Sequence, residues 1–323
     1  MVTLKQVMQA RDRISRGIVR TPVIPSNFLS DVTGARVFLK LECLQRLNSF
    51  KIRGALNRGM LMTPEERARG LVAASSGNHG AAVSYVANLL GVPANVYVPR
   101  GTPEVKTDKI KRYGAALHVE GNGYDEAYSL AVLHSKRTGK VFLDPASDEV
   151  AVAGHGTIGL ELIEDIPAVD AVLVPVGGGG LITGISTAVR AIRSSVNVVG
   201  VQTEACPAMA AALSDNVFYE EFPSEESICD AVTGGIGRLG YESARQCIDY
   251  IAVVSEDKVK EAVSELLRRD KVVAEPSGAL GAAYLLGSGD RFRGMTVAVV
   301  ISGGNIEFEL LRELMGASPG YGP

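Results

Sequence analysis

The chain contains no tryptophan, and only four histidines and four cysteines in 323 residues. The cysteines (Cys43, Cys206, Cys229, Cys247) are scattered without a CxxC pair. They give no disulfide framework and read as reduced thiols of a cytosolic protein. His118 and His134 have no partner at ligand spacing, so they read as surface or core histidines. An excess of charge of one sign is also lacking. The net charge is −3, and no basic surface argues for nucleic acid. The N-terminus carries Lys5, Arg11, Asp12 and Arg13, so it has no apolar signal core. Ala171 to Val189 is an uncharged run long enough to suggest a membrane span. Pro175 and four consecutive glycines interrupt it, which points to a strand, a loop and a helix instead. No repeat and no low-complexity tract is visible.

What is present is an ordinary soluble, globular profile: 46% hydrophobic and 21% charged residues, enough for one large or two medium domains. Short β-rich runs alternate with helical patterns. Strands are predicted at Val37–Leu41, Leu71–Ala74, Ala94–Val98, Ala116–Val119, Ala171–Val176, Val198–Val201, Tyr250–Val254 and Thr296–Ile301. Helices are predicted at 4–17, 51–62, 78–90, 103–113, 123–138, 155–165, 181–193, 256–270, 277–286 and 306–315. The alternation indicates an α/β chain with open, mostly parallel sheets flanked by helices. Three αβ units between 66 and 145 suggest a small domain inserted into a larger one formed by 1–62 and 146–323. Tyr241-Glu242-Ser243-Ala244-Arg245 reads as a solvated helix face. Glu65-Glu66-Arg67 reads as a helix start with a local charge pair.

Four motifs could carry chemistry. In Asn48-Ser49-Phe50-Lys51-Ile52-Arg53-Gly54-Ala55, a lysine stands between an aromatic and a β-branched residue. Apolar surroundings favour the neutral amine, which can attack a carbonyl. Alone, such a lysine more often lays its stem on the ring. Val172 to Val176 runs into Gly177-Gly178-Gly179-Gly180, a strand–loop–helix start suited to an anion. It matches neither rival phosphate motif. Ile182 or Thr183 stands where a dinucleotide loop needs glycine, and Ile185 where a Walker loop needs lysine. Ser75-Ser76-Gly77-Asn78-His79-Gly80 follows one strand, and Ser302-Gly303-Gly304-Asn305 follows another. Either could be a plain capping turn. The first also offers hydroxyls, an amide and free helix N–H groups to a small carboxylate.

Together and in this order, the four motifs resemble the threonine/serine dehydratase and serine racemase group of fold-type II pyridoxal phosphate enzymes. The resemblance runs from about residue 4 to 315. It implies the two-domain tryptophan-synthase-β-like architecture and pyridoxal 5'-phosphate as cofactor. Lys51 would form the internal Schiff base, and Phe50 would pack on the pyridine ring. Gly177, Gly178, Gly179 and Gly180 would bind the phosphate. Asn78 would meet the 3-hydroxyl, Ser302 the ring nitrogen, and Glu275 would lie close to the cofactor. Ser75, Ser76, Asn78 and His79 would hold the substrate carboxylate, with Ser76 moving a proton on the face opposite Lys51.

The implied activity is a cytoplasmic ammonia-lyase that eliminates water from L-threonine or L-serine. The rivals are a dehydratase of another β-hydroxy amino acid (3-hydroxyaspartate, phenylserine or a hydroxyectoine-derived compound), a serine racemase, and a non-catalytic anion- or cofactor-binding protein. Gln202 and Ala208 stand where some relatives carry metal-binding carboxylates, and Glu204 lies at another register, so no metal is expected. Against the group's pattern, Ala146 stands where relatives carry Asn or an aromatic near the substrate, Asp230-Ala231 replaces the usual Asp-Gly, and Gly234-Gly235 replaces polar residues near the ring, so a larger substrate has room. A homodimer or higher homo-oligomer is typical of the group. No C-terminal regulatory domain and no membrane partner are expected.

Overall fold

A computed structural model describes residues 1–316. The β-branched runs form strands β1 (Val23–Pro25), β2 (Arg36–Leu41), β3 (Leu71–Ala74), β4 (Ala94–Val98), β5 (Ala116–Val119), β6 (Val141–Phe142), β7 (Ala171–Pro175), β8 (Asn197–Thr203), β9 (Tyr250–Val254) and β10 (Thr296–Ile301). They build two sheets. One has the order β1-β2-β10-β7-β8-β9 and the other β5-β4-β3-β6. All pairings are parallel except β1 with β2. In β10 every residue is buried, as a parallel strand covered on both faces requires. Val297, Val299 and Ile301 point into a cluster with Leu39, Leu173 and Leu280, while Ala298 and Val300 join Val172, Val174 and Ile182 on the other face. A further cluster packs Ile52 and Leu56 against Leu71 and Ala73 of the smaller sheet and Val83 and Val86 of the helix Asn78–Leu90.

The sequence reading places eight strands close to where they form. It overlooks β1, a three-residue edge strand ending in Pro25, and β6, only two residues long. It also omits the helices Asn27–Thr33 and Ala208–Asp215. The helix expected at 155–165 starts at Glu149, where Asp148 caps it by accepting from the amides of Val150 and Ala151 at 2.8 and 3.0 Å. Gly154, Gly156 and Gly159 lower its intrinsic propensity, but they permit packing that side chains would block. A Cβ on Gly154 would lie 2.5 Å from the Arg53 carbonyl oxygen.

The helix expected to show a solvated face, Arg238–Cys247, instead buries Tyr241, Ser243 and Ala244. Phe218 lies 6.0 Å from Tyr241 there, so packing against that ring overrides the polar pattern. At 64–69 the expected start is closed by a capping box between Thr63 and Glu66, and Glu66 pairs with Arg58 at 2.8 Å. His118 and His134 meet each other at 5.7 Å around Tyr97, whose hydroxyl lies 2.7 Å from His134 Nδ1. Among the described residues no helix is long and apolar enough to cross a membrane. The run from Ala171 to Val189 resolves into β7, a glycine loop and a helix.

Candidate active site

Parallel strands deliver their C-terminal ends to one region, where open α/β sheets bind ligands. Four loops arrive there: Ser75–Gly77 after β3, Leu143–Ser147 after β6, Gly177–Gly179 after β7, and Ser302–Asn305 after β10. The helix Lys51–Met60 begins in the same place. Its start is stitched to the β10 loop: the Phe50 amide donates to the Ser302 carbonyl at 3.1 Å, and Ser49 bridges Gly303.

Lys51 is half-buried, with Nζ 4.9 Å from the centroid of the Phe50 ring. Burial pulls its pKa down to about 8, and the charges of Asp144 and Glu275 resist that fall. Phe50 is itself edge-on to His155 at 4.8 Å. His155 is buried with neither ring nitrogen in a hydrogen bond. Burial, then the nearby Lys51 charge, holds its pKa well below the usual histidine value. His79 is anchored by Nε2, which donates to the Leu143 carbonyl at 2.8 Å. Its Nδ1 is buried without a partner. Burial and then Lys51 bring its pKa to about 4, so it is neutral at pH 7.

Glu275 is buried, and burial raises its pKa to about 6. It accepts from Asn78 Nδ2 at 2.8 and 3.1 Å and from the Asn305 amide at 3.1 Å. Asn305 in turn donates to Asn78 Oδ1 at 2.7 Å and to the Leu47 carbonyl at 2.8 Å. The motifs at 48, 78, 275 and 302 are thereby one hydrogen-bonded unit. Ser75 Oγ accepts from the Gly77 amide at 3.2 Å, and Ser75 and Ser76 are both half-buried at the loop tip.

The tetraglycine wraps the start of the helix Gly180–Ile192. Gly179 has φ +94°, which only glycine adopts without strain. A Cβ on Gly180 would sit 2.1 Å from the Pro145 carbonyl oxygen. Among the described residues no protein acceptor takes the amides of Gly178, Gly179 and Gly180. Free amides converging at a helix N-terminus form an anion cradle.

The catalytic, cofactor and substrate candidates from the sequence (Phe50, Lys51, Ser75, Ser76, Asn78, His79, Gly177 to Gly180, Glu275 and Ser302) thus lie on these loops or at helix starts, whereas Gln202 lies in β8 and Asp230, Ala231, Gly234 and Gly235 in the segment before the helix Arg238–Cys247. Four others went unnoticed. Asn305 looks like a capping residue. Asp144 and His155 belong to no motif. Arg53 stands inside the Lys51 motif, but its partners are remote in sequence. Arg53 is fully buried. It contacts Glu42 at 2.7 and 2.8 Å, Glu161 at 2.7 and 3.0 Å, and Thr157 Oγ1 at 3.0 Å. Lys40 completes the cluster, 2.6 Å from Glu161. Among the described residues no group of three or more His, Cys, Asp or Glu side chains could hold a metal. At the position weighed for a metal, Gln202 Oε1 accepts from the Ala210 amide at 3.0 Å.

A family model described as "Pyridoxal-phosphate dependent enzyme" matches residues 14–303. The chain belongs to the pyridoxal-phosphate dependent enzymes. It is 42% identical to the L-threonine ammonia-lyase of Thermotoga maritima over 98% of its own length and 78% of that protein's. It is 36% identical to the catabolic L-threonine dehydratase of Escherichia coli K12, covering 98% and 96%. Its fold superposes on maize serine racemase with a TM-score of 0.91 at 31% identity, over 98% and 97% of the two chains.

The residues present fit the family's cofactor. The free amides of the tetraglycine suit a phosphate, and a side chain on Gly180 would collide with the backbone at Pro145 and Ala146. A lysine with a depressed pKa is the amine that an aldehyde requires.

Proposed function

We propose that the protein is a pyridoxal-phosphate-dependent dehydratase that converts L-threonine or L-serine to a 2-oxo acid and ammonia. The observation that carries this reading is the Lys51 amine, with a pKa near 8, at the focus of four loops that include an unpaired amide cradle. Once bound, the cofactor supplies the electron sink that labilises the α-proton and lets the β-hydroxyl depart.

The chain's own residues then have distinct tasks. The amides of Gly177 to Gly180 grip the phosphate. Phe50 supports one face of the ring, and Ser302 offers a neutral hydroxyl to the ring nitrogen. As a neutral group, Ser302 would favour an unprotonated ring nitrogen more than a carboxylate would. Lys51 Nζ would hold the cofactor's aldehyde and, once free, would be the base that accepts a proton from the substrate. Asn78 meets the 3-hydroxyl, and Glu275 holds Asn78 in place. Ser75, Ser76, Asn78 and His79 receive the substrate carboxylate at a helix N-terminus. His79 is kept neutral and adds no charge there, its one N–H being held by the Leu143 carbonyl. Ser76 Oγ serves the face opposite Lys51.

The division into a large unit (1–62 and 146–323) and a small inserted one (66–145) is part of this proposal, as are a homo-oligomeric assembly and a cytoplasmic location. The four unpaired thiols suit a reducing compartment. A serine racemase is the second reading, favoured by the likeness to the maize enzyme. Incubation of the holoprotein with threonine and with serine separates them. The dehydratase reading expects 2-oxobutanoate from threonine, lost in Lys51→Ala. D-serine appearing without keto acid would replace it with the racemase reading.

A further inference from the structure

The cofactor reading leaves one carboxylate at the site without a task. Asp144 lies in the segment Leu143–Ser147, which is wedged between two ligand loops. On one side, Leu143 takes the His79 hydrogen bond at 2.8 Å. On the other, Ala146 Cβ is 2.9 Å from where a Cβ on Gly178 would be. Residue 144 is therefore held between the loop that suits a carboxylate and the loop that suits a phosphate.

Its side chain is fixed there. Oδ1 accepts from the amides of Ala146 at 2.8 Å and Ser147 at 3.1 Å, and Oδ2 accepts from the Tyr128 hydroxyl at 2.8 Å. A carboxylate offers about four acceptor positions, so one on Oδ2 remains free. The charge is felt across the site. It helps hold the Lys51 pKa up against burial. With burial as the larger cause, it also raises the pKa values of Tyr124 and Tyr128. The other carboxylate acting on Lys51, Glu275, is already taken by Asn78 and Asn305. Next to it in the chain, Ala146 packs closely on Gly178 and Gly237, and Tyr124 and Tyr128 stand 6.0 Å apart. A fixed anion with a spare lone pair and an aromatic ring in contact suits a cationic donor and repels a second anion.

We propose that Asp144 is a specificity-determining residue that receives a positively charged amino group at the far end of the substrate side chain. Among β-hydroxy amino acids, those with a distal amine are then preferred over threonine, and those with a second carboxylate, such as 3-hydroxyaspartate, are rejected. This rests on the dehydratase reading and narrows its substrate class.

Two probes that lack the departing hydroxyl isolate binding: 2,4-diaminobutanoate and 2-aminobutanoate. Calorimetry on the holoprotein is expected to show the diamine binding at least about tenfold more tightly, the range of one charge-assisted hydrogen bond. In Asp144→Asn, whose side-chain oxygen can still accept from the two amides, that ratio is expected to fall to near one. Equal binding in the unaltered protein, or a preference that survives Asp144→Asn, would show that Asp144 only caps a turn and would overturn the proposal. Should the variant not fold, keto-acid release by the unaltered protein decides. The expected order of kcat/KM is 4-aminothreonine, then threonine, then 3-hydroxyaspartate. Release from threonine with 3-hydroxyaspartate equal or better would sink this inference alone. No release from any of the three would sink the dehydratase reading, and this inference with it.

Discussion

The two sides of the first turn of the Lys51 helix are built on opposite rules. Arg53, two residues after Lys51, faces a buried cluster in which two cations and two carboxylates satisfy one another. Lys51 faces a region where polar groups are left without partners: the tetraglycine amides, His79 Nδ1 and both nitrogens of His155. Buried polar groups are normally paired, because an orphan costs about 1–3 kcal/mol. The paired side therefore reads as structure. The unpaired side reads as readiness for a ligand, with stability given up in exchange for binding.

The sharpest way to break this contrast is to unpair the paired side. Arg53→Met strips Glu42 and Glu161 of their shared cation in the interior. It is expected to destabilise the chain by about 3–5 kcal/mol, read as a lower urea midpoint. Lys51→Ala, one turn-start away, removes a charge that folding partly desolvates. Its midpoint is expected to stay unchanged or rise. If the two variants lose equal stability, the contrast fails.

The unpaired side has a pH signature. His79 has a folded pKa of about 4, depressed from 6.5, so the unfolded chain binds its proton first as pH falls. The stability this site contributes is complete above pH 6.5 and is lost progressively down to about pH 4. The loss is about 3 kcal/mol at roughly 1.4 kcal/mol per pH unit. Denaturation of the cofactor-free chain across that window should show the slope. His79→Gln, which can still donate to Leu143, should remove about one proton's share of it. An unchanged slope would mean that His79 is not held neutral.

The smallest effect is expected between the two sheets. Lys106 reaches from the helix Glu104–Lys111 to Asp230 at 2.7 Å and to Glu307 at 3.6 Å. Both carboxylates are exposed and Lys106 is half-buried, so Lys106→Ala should change stability by less than about 1 kcal/mol, and less still at high salt.

How much of this was legible in the sequence follows from distance along the chain. The eight longer strands and the loops Ser75–Gly77, Gly177–Gly179 and Ser302–Asn305 announce themselves through local patterns, and these loops sit where parallel strands must end. The cradle could be read because four glycines exceed what a turn needs. The Arg53 cluster could not, since Arg53 and Glu161 are 108 residues apart and neither stands out alone. Asp144 and Asn305 were hidden for a related reason: each resembles an ordinary turn residue until the opposing loop arrives. The glycines of Glu149–Asp165 argued against a long helix. Close backbone packing against the Lys51 helix made one anyway.

The central claim is that Lys51 is the one amine placed to bond the cofactor. Purified protein can be mixed with pyridoxal phosphate, reduced with borohydride, digested and analysed by peptide mass spectrometry. The expected result is a single phosphopyridoxyl adduct on the peptide containing Lys51, and none in Lys51→Ala. An adduct spread over surface lysines such as Lys5 and Lys136, with Lys51 unmodified, would contradict it.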